Sequence, residues 1–168
     1  MVSADRAFAV RPLSPVDHPL VQDLIALDAA AGHYDRRLAD PATLAQFMAG
    51  FTNGLRAGGI ANQQGERWRL WGLAVSAGAD FAGFAACRER TDTPGLVELW
   101  MAGVLPGSRG NGAGAALVDG AIAGATREGK SVMCRCMPAS GQMKDMLMRR
   151  GFRHLGRGPE GADFLQFP

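Results

Sequence analysis

A glycine-rich stretch in the second half of the chain has the residue types and spacing to bind an anion. Every second residue of the range 110–114 is glycine. The apolar run 96–104 precedes this stretch and predicts a strand, and the apolar-periodic segment 115–127 follows it and predicts a helix. A strand, a glycine-rich turn and a helix in this order present unpaired N–H groups at a helix N-terminus, whose partial positive charge favours phosphate. We therefore expect a phosphate- or pyrophosphate-binding turn here.

Two other glycine motifs compete for this interpretation. Residues 124–131 match the P-loop pattern G-x-x-x-x-G-K-S literally. A P-loop follows a strand and opens a helix. Here the preceding residues are helical in pattern and the following ones are strand-like, so the polarity is reversed. We expect a glycine-capped helix end with Lys130 at the surface.

The second competitor is the dinucleotide fingerprint G-x-G-x-x-G of nucleotide-binding oxidoreductases. The glycines here are spaced G-x-G-x-G, and position 115 is alanine. The stretch also lies late in the chain, and no acidic residue ends a strand about 20 residues further on, where Met133, Cys134 and Arg135 stand. The missing ribose-binding acid argues against nicotinamide binding.

Composition limits the class of protein. The 168 residues are most simply one domain, 1–168, with 47% hydrophobic and 20% charged residues. A net charge of +2 is too small to argue for nucleic acid or a membrane surface as partner, and no run of about 18 apolar residues is present. Three cysteines without framework spacing favour a reducing, cytoplasmic setting.

The elements that must position the turn follow from periodicity and turn signals. They predict the order β-α-α-β-β-β-α-β-α-β-β, and thus an α/β (α+β) mixed sheet with helices on its faces. Asn53-Gly54 and the glycines at 58 and 59 are turn signals, and 62–66 is predicted as a loop. The predicted strands are 7–13, 67–77, 81–88, 96–104, 131–137, 152–157 and 163–167, and the predicted helices are 14–31, 40–51, 115–127 and 140–150.

The chain from Val104 to Gly114 resembles the acyl-CoA-binding signature of the GNAT superfamily of N-acetyltransferases. That signature is R/Q-x-x-G-x-G/A after a strand that ends in V-x-P. Val104 and Pro106 match the strand end, and Arg109, Gly112 and Gly114 match the signature. Gly-Phe at 151–152 resembles a second family landmark, in which a helix ends in G-F before a strand. The element order is also similar to the family, whose central sheet is splayed.

The resemblance implies a set of residues for CoA. Backbone N–H groups of the turn would hold the pyrophosphate, with added charge from Arg109, and the signature strand would pair with the pantetheine arm and the acetyl carbonyl. An N–H aimed at the thioester oxygen would stabilise the developing oxyanion. The implied CoA-binding residues are Ala102, Gly103, Val104, Arg109, Gly110, Asn111, Gly112, Ala113, Gly114 and Ser140.

The chain departs from the family pattern at the last helix. The family often has a tyrosine four residues before the G-F landmark, proposed to protonate the leaving thiolate, and this chain has Leu147 there. Ser140 replaces an asparagine and would bond the pantetheine or cap the helix. Tyr34, the only tyrosine, lies in the loop between the first two helices. Another group or water must therefore protonate the thiolate.

An attacking amine must lose a proton, so a base is expected near the thioester. Glu98, six residues before Val104, is the catalytic candidate, because family members use a strand carboxylate; the alternative is a strand glutamate paired with an arginine. Asp28, His33 and Tyr34 come from the helix pair that covers the acceptor groove in the family. They are candidates for the substrate site, and a solvated loop is the alternative.

Three further groups allow two interpretations each. Cys134 and Cys136 share a strand face and are more consistent with burial than with a metal, since metal-ligand spacing is absent. The tryptophans are expected in the core rather than in a cleft. The basic residues near the C-terminus could reach the CoA 3′-phosphate or complement a helix C-terminus. The tryptophans are Trp68, Trp71 and Trp100, and the basic residues are Lys144, Arg149 and Arg150.

The sequence therefore predicts an acetyl-CoA-dependent N-acyltransferase acting by direct attack of an amine on the thioester. Acetyl-CoA would be the co-substrate, no metal is expected, and the acceptor is a small-molecule or peptide amine that the sequence does not identify. A homodimer is possible because dimers are common in the family. The alternative is a catalytically inactive CoA-binding regulatory domain of the same fold.

Overall fold

Residues 7–168, the part of the chain that the computed structural model describes, form eight strands and four α-helices. The domain predicted over 1–168 thus includes six residues outside the described range. The strands are β1 (Phe8–Pro12), β2 (Gly59–Ala61), β3 (Arg67–Ala77), β4 (Asp80–Arg90), β5 (Leu96–Val104), β6 (Ser131–Cys136), β7 (Arg153–Arg157) and β8 (Asp163–Phe167), and the helices are α1 (His18–Ala30), α2 (Pro41–Ala57), α3 (Ala113–Arg127) and α4 (Gly141–Arg149).

The described strands lie in one mixed sheet of order β1-β3-β4-β5-β6-β8-β7, with β2 paired to the other end of β3. Only the β5–β6 pair is parallel among the described strands, and α3 makes the crossover between them. The predicted mixed α/β fold and its element order are confirmed, apart from the short strand β2, which the sequence analysis missed.

Helices cover both faces of this sheet. The strand β5 shows why both faces are covered. Successive residues of a strand face opposite sides of the sheet, and the residues of β5 contribute to a core on each side. Leu24 of α1 and Phe51 of α2 pack with Phe84 on one face, and Leu117 of α3 and Leu147 of α4 pack on the other. Each of these side chains is at most 3% exposed, and burial of such a side chain stabilises the fold by about 1.5–3 kcal/mol.

Local signals fix the ends of the helices near the site. Asp40 begins α2 by accepting a hydrogen bond from the Thr43 N–H at 2.8 Å, and Gly58 ends it with φ +72°. The predicted turn at Asn53-Gly54 is wrong, because both residues lie inside α2. Gly54 is needed there because Ile60 of β2 occupies the space that a Cβ would take.

The literal P-loop match at 124–131 falls where the sequence analysis expected a helix end. α3 ends at Arg127, Gly129 has φ +68°, and β6 begins at Ser131. Lys130 forms ion pairs with Glu89 and Glu128. The P-loop interpretation is therefore excluded, because the segment ends a helix.

A bulge in β5 sets the geometry of the centre of the sheet. Ala86 of β4 pairs with Met101, and the next residue, Cys87, pairs with Leu99, so Trp100 is an extra residue on β5. Such a bulge shifts the side-chain alternation of a strand by one residue and increases its local twist. Trp100 and Met101 consequently both contribute to the core beneath α1 and α2.

The two central parallel strands diverge directly after this bulge. Residues 96–99 of β5 pair with residues 131–134 of β6, but both strands continue beyond that pairing. We call the space between residues 100–104 of β5 and residues 135–140 the gap. No helix among the described residues is long and apolar enough to cross a membrane.

Candidate active site

The glycine turn between β5 and α3 presents a run of unpaired backbone donors. The N–H groups of residues 110–115 have no acceptor within the described part of the chain, whereas Ala116 donates to the Gly112 carbonyl at 3.0 Å. Gly110 and Gly112 have φ of +73° and +95°, and nothing lies within 4 Å of where their Cβ atoms would stand. Six adjacent donors at the positive end of α3 make an open anion site.

The turn contributes through its backbone rather than its side chains. Gly110, Gly112 and Gly114 line the cleft beside the turn, but the side chains of Asn111 and Ala113 do not. Asn111 is exposed to solvent, and Ala113 is buried in the core beneath α3. Both can therefore serve an anion only through their N–H groups.

The gap exposes the backbone of two β5 residues. The Leu105 N–H donates to the carbonyl of Ala82 in β4 at 2.8 Å. Because alternate residues of a strand direct their polar backbone groups to the same side, Ala102 and Val104 direct theirs away from β4 and into the gap. These are two of the residues that the sequence assigned to the pantetheine arm.

Side chains already occupy both carbonyls that face the gap. The Tyr34 hydroxyl donates to the Ala102 carbonyl at 2.6 Å, and Arg109 Nε donates to the Val104 carbonyl at 2.9 Å. Ala102 and Val104 pair with residues of β4 but direct their N–H groups away from it, and the pairing of β5 with β6 ends at Leu99, before either residue. The strand thus offers donors to a ligand more readily than acceptors.

Arg109 lies differently from the sequence expectation. Instead of extending over the turn, its guanidinium forms an ion pair with Asp28 of α1, with Nη2 and Oδ1 2.9 Å apart. Asp28 is buried, and its burial raises the pKa of the carboxyl while Arg109 and His33 oppose that rise. Asp28, a candidate for the substrate site, lines the cleft and joins α1 to the turn through this ion pair.

Residues 33 and 34, which we call the strap, span the gap and contact both of its sides. His33 Nδ1 lies 2.9 Å from Ser140 Oγ, beyond the end of β6, while Tyr34 reaches Ala102 on β5. Ser140 makes no side-chain capping bond to α4. Of the two roles expected for Ser140, the structure thus shows no capping bond from its side chain, and its hydroxyl is part of the gap.

Tyr34 is half-buried. Its ring packs against the core beneath α1 and α2. Burial raises the pKa of its hydroxyl well above the ordinary value for tyrosine, and the nearby carboxylate of Asp28 acts in the same direction. The hydroxyl therefore remains a neutral hydrogen-bond donor at any physiological pH.

Glu98 lines the cleft but has an arginine partner. Its Oε2 lies 2.5 Å from Arg88 Nε, and its side chain is 13% exposed. The Arg88 guanidinium in turn stacks between Trp68 and Trp100, 4.4 Å from each ring centroid. This stack fixes Arg88, a neighbour that sequence reasoning missed because it lies on a different strand. Both readings of Glu98 thus have support, a strand ion pair and a group that faces the cleft.

A single cleft of about 1420 Å³ brings most of the predicted residues together. Its volume exceeds the 300–1,000 Å³ of ordinary ligand pockets, which suits an extended ligand. It runs from the strap along the gap to the turn. The predicted residues that line it are Asp28, His33, Tyr34, Glu98, Ala102, Gly103, Val104, Arg109, Gly110, Gly112, Gly114 and Ser140.

The helix α4 contributes less than the family pattern suggests. Leu147 is fully buried in the core beneath α3 and α4 and does not line the cleft. Lys144 forms an ion pair with Asp163, and Arg150 forms one with Asp119. Arg149 lines the cleft and has no ion-pair partner among the described residues.

The cysteines pack in the core. Cys87, Cys134 and Cys136 are free and buried, and burial raises the pKa of Cys87 to about 12. No group of three or more histidine, cysteine, aspartate or glutamate side chains in residues 7–168 is arranged to hold a metal ion. The cysteines of the described chain are therefore explained by packing.

The sheet opens between β5 and β6, next to the start of α3, where backbone N–H groups have no acceptor among the described residues. An α/β domain with this arrangement can hold an extended anionic ligand between two strands. Residues 51–152 match the family described as the acetyltransferase (GNAT) family. The match spans more than half of the chain, including the turn and the gap. The chain belongs to this family. Among curated proteins, none is a significant sequence match.

Solved structures share the fold over nearly the whole chain. A GCN5-related N-acetyltransferase from Kribbella flavida superposes with a TM-score of 0.73 at 20% identity, covering 96% of this chain and 98% of its own. The PaiA N-acetyltransferase from Thermoplasma acidophilum, in complex with coenzyme A, gives 0.70 at 12%, covering 95% and 98%. A ribosomal-protein-alanine N-acetyltransferase from Brucella melitensis gives 0.72 at 17%, covering 95% and 98%.

Proposed function

We propose that this protein transfers an acetyl group from acetyl-CoA to a primary amine by direct attack on the thioester. The observation that carries the proposal is the run of unpaired N–H groups at 110–115, next to the gap. CoA has a pyrophosphate that matches these donors and an amide-containing arm that a strand edge can pair. A similar fold in a structure that contains coenzyme A supports the same ligand here.

The arm of CoA would lie along β5, with the thioester near the strap. The free N–H groups of Ala102 and Val104 favour this orientation, because they can donate to carbonyl oxygens of the arm and of the acetyl group. One such donor aimed at a developing oxyanion contributes roughly 2.7–4 kcal/mol in other acyl-transfer enzymes. At the opposite end, Arg149 is the side chain that we assign to the 3′-phosphate, since it lines the cleft without an acidic partner among the described residues.

The acceptor needs a base because a lysine-like amine with a pKa of about 10.4 is mostly protonated at pH 7. The penalty for the neutral form is about 4.6 kcal/mol. We assign this role to Glu98, which lines the cleft and is held by Arg88 through one oxygen. The Arg88 contact fixes the position of the carboxylate, whose other oxygen can take a proton from the amine, directly or through water.

The reaction balances without a covalent enzyme intermediate. The amine nitrogen forms a bond to the acetyl carbon, the carbon–sulfur bond breaks, the amine proton passes to Glu98 or water, and the thiolate takes a proton from water. Protonation of the thiolate is a mild requirement, since thiols have a pKa near 8.5. The buried free cysteines support the cytoplasmic, reducing setting predicted from the sequence.

A thiol-release assay tests the proposal. Acetyl-CoA is incubated with the protein and a panel of amines comprising polyamines, aminoglycosides, amino acids and peptide N-termini, and free CoA is quantified. We expect amine-dependent thiol release with at least one class. Leu147 at the usual tyrosine position favours a second candidate, a CoA-binding domain without catalysis. That candidate predicts calorimetric binding of CoA and no thiol release with any amine.

A further inference from the structure

The strap places one hydroxyl group against the part of β5 that faces the gap. Tyr34 and Arg109 are the side chains in the described chain that donate to the gap-facing carbonyls. Arg109 contacts the carbonyl of Val104, which is the one nearer the turn, and its guanidinium is also held by Asp28. Tyr34 therefore supplies the hydroxyl at the strap end of the gap, where the proposed function puts the thioester.

We infer that Tyr34 is a catalytic residue that donates a hydrogen bond to the thioester sulfur as the carbon–sulfur bond breaks. The inference rests on the proposed function, because the position of the thioester follows from CoA pairing with the turn and the gap. It extends the sequence interpretation, in which Tyr34 was a candidate for acceptor binding only.

The reach of the hydroxyl follows from strand geometry. The N–H and C=O of Ala102 face the same side, so an acetyl group bonded to that N–H lies beside the carbonyl that Tyr34 contacts at 2.6 Å. A hydroxyl hydrogen rotates about its C–O bond. The donor can therefore move from the Ala102 carbonyl to the sulfur while the packed ring stays in place.

The strap is fixed at both ends, which keeps this donor preorganised. His33 contacts Ser140 on the far side of the gap, and the His33 N–H donates to the Asp28 carbonyl at 2.9 Å. Preorganised donors aimed at developing charge stabilise a transition state without the cost of reordering solvent. His33 and Ser140 are thus positioning residues for Tyr34.

The hydroxyl acts as a hydrogen-bond donor and keeps its proton. The titratable and charged groups that face it are Asp28 from α1, Arg109 from the turn and Cys134 from β6. Burial and Asp28 raise its pKa, so transfer of its proton to a thiolate, whose conjugate thiol has a pKa near 8.5, is uphill. The thiolate is therefore stabilised by Tyr34 and protonated by water.

Tyr34→Phe tests this role, because it removes the hydroxyl oxygen and keeps the ring. Thr52→Val is the matched control, since Thr52 Oγ1 also donates to a backbone carbonyl, that of Met48 at 2.8 Å, away from the cleft. Initial rates of thiol release are measured with the best amine of the panel from pH 6 to 9, together with calorimetric affinity for CoA and thermal unfolding.

We expect Tyr34→Phe to lower kcat by about ten-fold at every pH. The hydrogen bond from the hydroxyl to a charged thiolate is stronger than the bond to the neutral Ala102 carbonyl that it replaces. CoA affinity should stay within about two-fold, and the control should match the wild type. An unchanged kcat, or a loss confined to CoA binding, would overturn the inference and leave the proposed function intact. Loss of a basic limb from the pH profile would show proton transfer and contradict the donor role. A wild-type protein inactive with every amine would remove the proposed function and the inference together.

Discussion

Replacing Gly112 by glutamate tests the pyrophosphate site most directly. Gly112 is the last residue before α3, is exposed, and has an N–H without an acceptor among the described residues. Nothing lies within 4 Å of the position of a Cβ there, so a longer side chain has room without displacing its neighbours. The residue also has φ +95°, and any side chain at such an angle costs about 1–2 kcal/mol. Gly112→Gln is therefore the control, because it has the same size and backbone strain without the charge.

The magnitude follows from the charges. A carboxylate about 5 Å from a pyrophosphate with two negative charges is repelled by about 1.7 kcal/mol in water. This repulsion weakens binding by about fifteen-fold relative to the glutamine variant. At 0.15 M salt, the Debye length of about 8 Å roughly halves the repulsion and leaves about a four-fold effect.

Calorimetric titration of CoA into both variants at low and physiological salt measures this ratio. We expect the glutamate variant to bind more weakly than the glutamine variant, with a ratio that shrinks as salt rises. Thermal unfolding of the two variants should be similar, because the substituted side chain lies in solvent. Equal affinities at low salt would refute the assignment of the turn to pyrophosphate, since no phosphate could then lie near residue 112.

Three further predictions concern the base, the packing of β5 and the response to pH. Glu98→Gln should lower kcat/KM for the amine by about 10²-fold with little change in CoA affinity, and equal rates in steady-state assays would contradict its role as base. Gly103→Ala should lower the free energy of unfolding by about 1–3 kcal/mol, because its Cβ would lie 2.9 Å from Asp28 Oδ2. Gly124→Ala is the control: no atom of the described chain lies within 4 Å of where its Cβ would stand, and the substitution in α3 should raise the free energy of unfolding by about 0.5–1 kcal/mol. An arginine partner holds the pKa of Asp17 below its ordinary value, so the stability it adds is present above about pH 4 and is lost as pH falls through the folded pKa. Asp17→Asn should therefore be less stable by about 1–2 kcal/mol in denaturant titrations at pH 7, a difference that should shrink in acid.

The fold and the anion turn could be predicted because their signals are local. The strand over 96–104 and the helix over 115–127 are visible as hydrophobic periodicity, and the glycines between them mark a turn that only a flexible backbone can make. The structure places that turn within two residues of its predicted position. Local propensity and packing agree at these positions.

The bulge at Trp100 could not be predicted from the sequence. Apolar residues occupy both faces of β5 near that position, so a shift of one residue leaves the hydrophobic pattern looking unchanged. The short strand β2 was missed for a related reason, because three residues carry too little periodicity, and the strand begins at the second glycine of a predicted turn signal.

The contacts of the strap and of Arg109 were also beyond the sequence. Tyr34 and Ala102 are 68 residues apart, and Asp28 and Arg109 are 81 apart. Loop residues have no period from which such pairing can be read. Sequence reasoning therefore identified most of the predicted site residues that line the cleft, but not the contacts that these residues make with one another.

The extra residue on β5 makes the protein sensitive to the length of that strand. Glu98 and Gly103 lie on the same face of the sheet although five positions separate them, and a regular strand would put them on opposite faces. Deleting one residue between them would move the side chains of the second half of the strand to the opposite face of the sheet. No single substitution there would have this effect. An insertion in the exposed hairpin loop at 91–95 would leave each side chain of β5 on its present face of the sheet. Relatives with the same chemistry should therefore vary freely in that loop and keep a constant spacing between these two positions.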